Sequence, residues 1–386
     1  MKKTILILSA VGFDNSPYCS YVHSHAKALA EEGYHVIVLA VTRWIPILSN
    51  MQKDRMKFCK KIEKFNETVT IDGVDVIYIK SLTFSNVLYN TQINLNGYFY
   101  YLAIRKKVRE IMQKENVVLI DAHTFKVEGY VAGKLKKKYG TKAFVTIHGT
   151  SFLRNTTSEN GIKTIKKITN ELDLNVCVSN KLENYLKKLG IENTAVIYNG
   201  INDYHLKNVT QKKKFSIITV GNLIPGKRMD VSIKTIKKLV DKYPKVTLKI
   251  IGEGVEKEKL KHLAENLGIE NNIEFLGRIP NQEVYRQMQE SEIFILPSIN
   301  EGFGIVYVEA MLNDCITIAT KNEGIDGFIK NRENGFLVES NEDKLCDLIG
   351  DIYQNKYDLG AIRVKAKLDA QGLTWSKNAK EYIKRV

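Results

Sequence analysis

Residues 292–310 read EIFILPSINEGFGIVYVEA. An apolar run ends at Pro297 and Ser298, a short loop follows, and a second apolar stretch begins beyond Gly304. Glycines at 302 and 304 weaken any helix that starts early, so a helix is expected over 304–313. The stretch reads as strand, tight loop, helix. The same unit recurs in both directions. Apolar runs of strand length stand at 4–10, 35–41, 117–120, 143–147, 174–178 and 195–198, and again at 215–220, 246–251, 273–276, 293–297 and 315–319. Amphipathic segments lie between them, at 20–32, 126–139, 180–189, 229–242, 255–267 and 304–313. Continuous apolar strands alternating with helices indicate parallel sheets covered on both faces. The exception is TVTIDGVDVIYI (68–79), where Asp72-Gly73 reads as a hairpin turn.

The polar, patternless stretch NGINDYHLKNVTQKKK (199–214) separates two rounds of this pattern. A chain of 386 residues accommodates two domains of ordinary size. The expected fold class is therefore α/β, two doubly wound Rossmann-like domains facing across a cleft, with residues 1–203 in the first and 204–371 in the second. Hydrophobic content of 44% and charged content of 26% are those of a globular chain. The opening MKKTILILSA is too short to span a bilayer and reads as a buried first strand. Five scattered cysteines without a CxxC pair suggest neither a zinc knuckle nor a disulfide framework, and fit a reducing cytoplasm. Net charge is +15, most of it in residues 1–200. The asymmetry admits an anionic partner on that half, or only a lysine-rich composition. With no RNA-binding aromatic motif or helix-turn-helix signature, nucleic acid is not expected.

Ligands of doubly wound sheets bind beyond the carboxyl ends of the strands. In the first half Gly12, His123 and His148 stand at such ends. A lone histidine is usually structural, but two at one sheet edge raise the case for function. In the second half IITVGNLIPGKRMD (217–230) places Lys227 and Arg228 at a helix start, where free N–H groups and cations make an anion site. The Walker spacing is absent. Gly252 and Gly254 repeat the idea, and Gly277-Arg278-Ile279 supplies another strand end. Glu301 lies in the loop after its strand. Glu309 lies more than a turn inside the helix and must reach a different group. The N–H groups between them, near Phe303 to Val306, lack intrahelical acceptors. A sugar at Glu301, a pyrophosphate at these amides and a ribose at Glu309 match this layout. Taken singly, each glutamate reads better as a helix cap or a solvated side chain; the whole string argues against that reading.

At these residues the sequence resembles the family 4 glycosyltransferases, which have the GT-B fold. The E-x7-E pattern is Glu301-GFGIVYV-Glu309. VSNKLENYLKKLG with VIYNGIN (178–202), VGNLIPGKRMD, IIGEG, FLGRIP, LPSINEGFG and NGFLV follow in the family's order over nearly the whole chain. LTWSKNAKEYI (373–383) is similar to its final helix, which implies that residues 372–386 pack back on the first domain. The resemblance implies that Lys227 contacts the donor's phosphates. It implies that the backbone of Gly302, Phe303, Gly304, Ile305 and Val306 holds sugar and pyrophosphate. Glu301 would meet the donor sugar, Glu309 the ribose, the backbone at Ile279 the base, and His123 the sugar from the first domain. His148 is a candidate on the acceptor side. Asn222 stands where members usually carry arginine, and Arg228 where they usually carry glycine, so Arg228 is the candidate replacement cation. Ser16-Pro17 replace a usual glycine pair, and proline offers no N–H, which leaves Gly12 or its neighbours to meet the pyrophosphate.

The implied activity is a retaining transfer of a hexose-type sugar from a nucleotide diphosphate sugar, UDP-sugar favoured, to a glycan or lipid-linked acceptor in cell-surface polysaccharide or glycolipid synthesis. A GT-B nucleotide-sugar isomerase or phosphorylase is the alternative. No DxD-type motif sits at a strand end, so neither metal nor cofactor is expected. The stretch NMQKDRMKFCKKIEKF (50–65) has apolar residues at helical spacing among lysines. It suits an anionic membrane at the inner face of the plasma membrane, or a helix packed on the domain. FSNVLYNTQINLNGYFYYLAI (84–104) is too polar to span a membrane, and suits an acceptor site or a core helix.

Overall fold

The computed structural model describes residues 1–9, 20–44, 65–83, 94–149, 152, 153, 156, 158–201 and 211–386. Gly12, Ser16-Pro17, residues 50–64 of the stretch 50–65 and residues 84–93 lie outside the described residues. The chain forms two compact units. The first takes Met1–Val178, Leu182–Asn202 and Trp375–Val386; the second takes Ser179–Lys181 and Asp203–Thr374.

The first unit holds eight strands: β1 (Lys3–Ser9), β2 (His35–Trp44), β3 (Thr68–Ile71), β4 (Val74–Leu82), β5 (Asn116–Ala122), β6 (Lys142–Ile147), β7 (Leu174–Cys177) and β8 (Thr194–Val196). They lie in the order β3-β4-β2-β1-β5-β6-β7-β8. All pairs are parallel except β3 with β4, a hairpin whose turn residues Asp72 and Gly73 both have positive φ, at 49° and 77°. Ile5, Leu6, Ile7 and Leu8 are all 0% exposed, so both faces of β1 are covered. The chain leaves β1 for β2 on one side and returns as β5 on the other. That reversal is where doubly wound sheets place ligands.

The helix Trp375–Ile383 belongs to this unit. Its Ala379 and Tyr382 join the core formed with Val22 and Ala26 of the helix Ser20–Glu31. Ser376 Oγ donates to Glu32 Oε1 at 3.0 Å. The segment expected as one helix over 126–139 begins instead with a wide turn, Phe125–Gly129, before the α-helix Tyr130–Tyr139. Gly129 N–H reaches back five residues to Thr124 O, at 2.9 Å.

The second unit holds β9 (Lys213–Val220), β10 (Thr247–Ile251), β11 (Ile273–Gly277), β12 (Ser291–Leu296), β13 (Ile316–Thr320) and β14 (Phe336–Val338). Their order is β11-β10-β9-β12-β13-β14, all parallel, with the reversal between β9 and β12. Ile293, Phe294, Ile295 and Leu296 are 0% exposed. Each such side chain contributes about 1.5–3 kcal/mol by leaving water. The loops after β9 and β12 are joined directly, Ile299 N–H donating to Gly226 O at 2.8 Å. No helix among the described residues is long and apolar enough to cross a membrane.

Candidate active site

In the second unit the loops at the β9 and β12 ends carry the residues singled out by sequence. Pro225–Lys227 form a short 3₁₀ turn, and the helix Met229–Val240 follows. Lys227 Nζ forms an ion pair with Glu301 Oε2, each side chain 19% exposed. Glu301 N–H donates to Glu323 Oε2 at 2.9 Å, and the same oxygen accepts from Lys181 Nζ at 2.6 Å. Two lysines and two glutamates therefore form one connected network.

Gly304 caps the helix Ile305–Leu312 with φ of 87°. A Cβ there would lie 2.6 Å from the Tyr307 ring, so glycine is needed for space as well as for its backbone angle. Ile305 and Val306 open the helix, where N–H groups have no intrahelical acceptor. Phe303 turns its ring inward and is 3% exposed, so it offers backbone rather than side chain. Tyr307 is fully buried, donates to Leu296 O at 2.7 Å and shares a hydrogen bond with Ser298 Oγ at 2.9 Å. It pins the helix to the strand it follows. Glu309 is half-buried and accepts from Tyr285 Oη at 3.1 Å. Burial pushes its carboxyl above the usual range, and the Tyr285 bond only partly offsets this.

Arg228 has φ of 51°, the left-handed region that favours glycine, and its Nε lies 3.5 Å from Asp230 Oδ1. Asn222 is exposed and its carbonyl accepts from Ile224 N–H. Ile279 is partly buried, between β11 and the helix Asn281–Glu290 that bears Tyr285.

In the first unit His123 and His148, at the ends of β5 and β6, come together, Nδ1 to Nε2 at 3.2 Å. His123 is 3% exposed, and its Nε2 lies 3.2 Å from Asp121 Oδ2. Neither nitrogen faces solvent. His25 Nε2 lies 3.3 Å from the same oxygen, and Tyr382 Oη donates to Asp121 Oδ1. Burial alone would raise the Asp121 carboxyl, but His123 and His25 beside it hold it well below the usual range. Burial pushes His148 well below the usual histidine value, and His123 and His25 push the same way.

Sequence reading missed Glu323, Lys181, Tyr285, His25, Asp121 and Tyr382. Some signals were present. Glu323 follows the end of β13, as Glu301 follows β12. Asp121 and His123 are two apart, a spacing that puts side chains on one face of an extended segment.

The profile "Glycosyl transferases group 1" matches residues 200–369 and "Glycosyltransferase Family 4" matches residues 20–204. An uncharacterized glycosyltransferase of Methanocaldococcus jannaschii is 31% identical over 289 residues, 73% of this chain and 79% of that one. The N-acetyl-alpha-D-glucosaminyl L-malate synthase of Bacillus anthracis is 28% identical over 274 residues, 65% of this chain and 71% of its own length. Among solved structures, Anabaena Alr3699/HepE, described in complex with UDP and glucose, has a TM-score of 0.69 at 19% identity, covering 100% of this chain and 99% of that one. The sucrose-phosphate synthase of Thermosynechococcus elongatus has a TM-score of 0.72 at 18% identity, covering 99% and 98%. Two matched profiles, a relative covering most of the chain and two doubly wound sheets lead to one conclusion: the chain belongs to the family 4 glycosyltransferases and has the GT-B fold.

Proposed function

We propose that the protein is a retaining hexosyltransferase that uses a nucleotide diphosphate sugar, UDP-sugar favoured, and a glycan or lipid-linked acceptor of cell-surface polysaccharide or glycolipid synthesis. The observation that carries this reading is the meeting of Lys227 and Glu301 at the β9/β12 reversal, beside the start of the helix Ile305–Leu312. A phosphate takes Lys227 and the helix amides, a sugar hydroxyl takes Glu301, and ribose hydroxyls take Glu309. The choice of UDP draws on the Anabaena protein of the same fold, described with UDP and glucose.

Transfer proceeds on one face of the sugar. The bond from the anomeric carbon to the phosphate oxygen breaks, and the bond to the acceptor oxygen forms. The acceptor's proton passes to the departing phosphate. The protein's part is positioning and charge stabilisation. Lys227, Arg228 and the helix N-terminus neutralise the leaving group, and neither metal nor cofactor is assigned to this step. The first unit takes the acceptor, and the excess positive charge of residues 1–200 suits an anionic membrane carrying a lipid-linked one. Incubation with UDP-sugars, with and without mixed glycan and lipid acceptors, tests the reading. Acceptor-dependent product with the donor's anomeric configuration supports it. Acceptor-independent rearrangement of the sugar, phosphate-dependent cleavage, or an inverted product contradicts it.

A further inference from the structure

Lys212 stands immediately before β9, at the amino-terminal edge of the second sheet, and its side chain is half-buried. Its Nζ donates to three carbonyls, Ser291 O at 2.8 Å, Gln289 O at 3.2 Å and Asn313 O at 3.2 Å, with Met288 O beside them at 3.5 Å. An ammonium has three protons and no acceptor, so the three shorter contacts use all of them. These carbonyls close two helices. Met288 and Gln289 lie in the last turn of the helix Asn281–Glu290, and Ser291 caps it. Asn313 caps the helix Ile305–Leu312. The last carbonyls of a helix lack intrahelical donors and carry the negative end of its dipole. One cation placed where two such ends meet holds both.

The same two helices meet again at Glu309. Tyr285, one turn before Met288 and Gln289, donates from Oη to Glu309 Oε1 at 3.1 Å. Asn313, one turn after Glu309, donates to the Glu309 carbonyl from its N–H at 3.1 Å and from Nδ2 at 2.9 Å. Lys212 therefore reaches Glu309 by two routes. One runs through Asn313 along the helix that bears the carboxylate. The other runs through Met288 and Gln289 along the helix that bears its tyrosine partner. From Glu309 to Asn313 the helix rises about 6 Å, so a shift at the cap is carried to the carboxylate with little loss.

We infer that Lys212 is a positioning residue for the donor's ribose. It sets the two helix ends so that Glu309, aligned by Tyr285, presents its carboxylate to the ribose hydroxyls. The inference rests on the reading that gives Glu309 to the ribose. Lys212 precedes β9, whereas Lys227 and Glu301 follow the carboxyl ends of β9 and β12, so its effect on the donor passes through Glu309. The competing role is a lysine that ends two helices and adds stability only.

The test measures, by calorimetry, binding of UDP, GDP and ADP, each beside its 2′,3′-dideoxy counterpart. The proteins are full-length wild type, Glu309→Gln and Lys212→Met, each held below its unfolding transition. The readout is the factor by which the ribose hydroxyls improve affinity. In the wild type this factor should be about 10-fold or more for the nucleotide that binds, the order of a charged hydrogen bond. Glu309→Gln should remove most of it. Lys212→Met should also remove most of it while keeping its affinity for the dideoxy compound. A factor left intact in Lys212→Met but lost in Glu309→Gln overturns the inference and leaves the ribose reading standing. Equal weakening of both compounds by Lys212→Met overturns it too, because a purely structural role predicts that. No binding of the three nucleotides to the wild type, or binding that ignores the hydroxyls, removes the ribose reading and this inference with it. Should Lys212→Met fail to fold, Lys212→Arg decides on the same criterion, because a planar guanidinium cannot sit among the same carbonyls.

Discussion

Lys227 and Glu301, 74 positions apart in sequence, are ion-paired with each other at the ends of two adjacent parallel strands. Each is the side chain assigned to one half of the donor, phosphate for Lys227 and sugar for Glu301. On the proposed assignment, donor binding exchanges this internal pair for contacts with the ligand, and removal of either partner strands the other in a partly buried site.

Lys227→Ala should lower kcat on the order of 10²-fold or more, the scale of losing one preorganised charge stabiliser. Steady-state kinetics at saturating donor checks this, and wild-type turnover would refute the assignment.

Glu323 acts on Glu301 through its backbone, and Lys181 holds the same carboxylate. Glu323→Ala should leave the fold intact and lower kcat/KM by about 10- to 100-fold, because active sites tolerate shifts of about 1 Å poorly. Glu323→Gln keeps an acceptor and should recover part of the loss. Kinetics beside circular dichroism separates misplacement from unfolding.

A Cβ on Gly324 would lie 2.2 Å from Gly302 O and 2.7 Å from Phe303 N. Gly324→Ala must push on the loop that carries Glu301. The expected cost is about 1–3 kcal/mol in a denaturant titration, with weakened donor affinity. Unaltered stability and affinity would show that the loop gives way freely.

Arg228→Gly relieves a left-handed residue while deleting a cation. Tm should hold or rise while nucleotide affinity falls by about 10-fold, the order of a lost charged hydrogen bond. Equal affinity in both proteins would remove Arg228 from the donor contacts.

At the opposite, amino-terminal edge of the first sheet, His35 bonds Asp75 at 3.0 Å and Glu115 at 3.1 Å. Partial burial alone would lower its pKa; the two carboxylates outweigh this and raise it. A raised folded-state pKa gives stability that is fully present below the ordinary value and lost as pH rises through the folded one. The stability difference between wild type and His35→Gln should therefore shrink as pH rises above about 6.5, over the window in which folded His35 loses its proton. A difference flat across that window would mean His35 acts only by packing.

The strands were readable because both faces of a parallel sheet are covered, so β1 and β12 appear as unbroken apolar runs. The helix at Ile305 was readable from the glycines ahead of it. The strand-end rule then found Lys227, Glu301, His123 and His148 without any contact being known. It could not pair them. Lys227 meets Glu301 only because β9 and β12 are neighbours, which no local spacing encodes. The cluster around Asp121 is further out of reach. It joins His25 to Asn378 across 353 positions, through a terminal helix whose own pattern shows only that it is amphipathic. The wide turn after His123 is closed in part by the bond from Gly129 to Thr124, which has no composition of its own.

The most direct measurement is a thermal-shift screen of the wild type and Lys227→Ala against UDP-, GDP-, ADP- and dTDP-sugars, since a ligand bound only by the folded state raises Tm by mass action. One nucleotide class, UDP favoured, should stabilise the wild type clearly and Lys227→Ala much less. No stabilisation by any nucleotide sugar, or equal stabilisation of both proteins, would contradict a donor site built on Lys227 and Glu301.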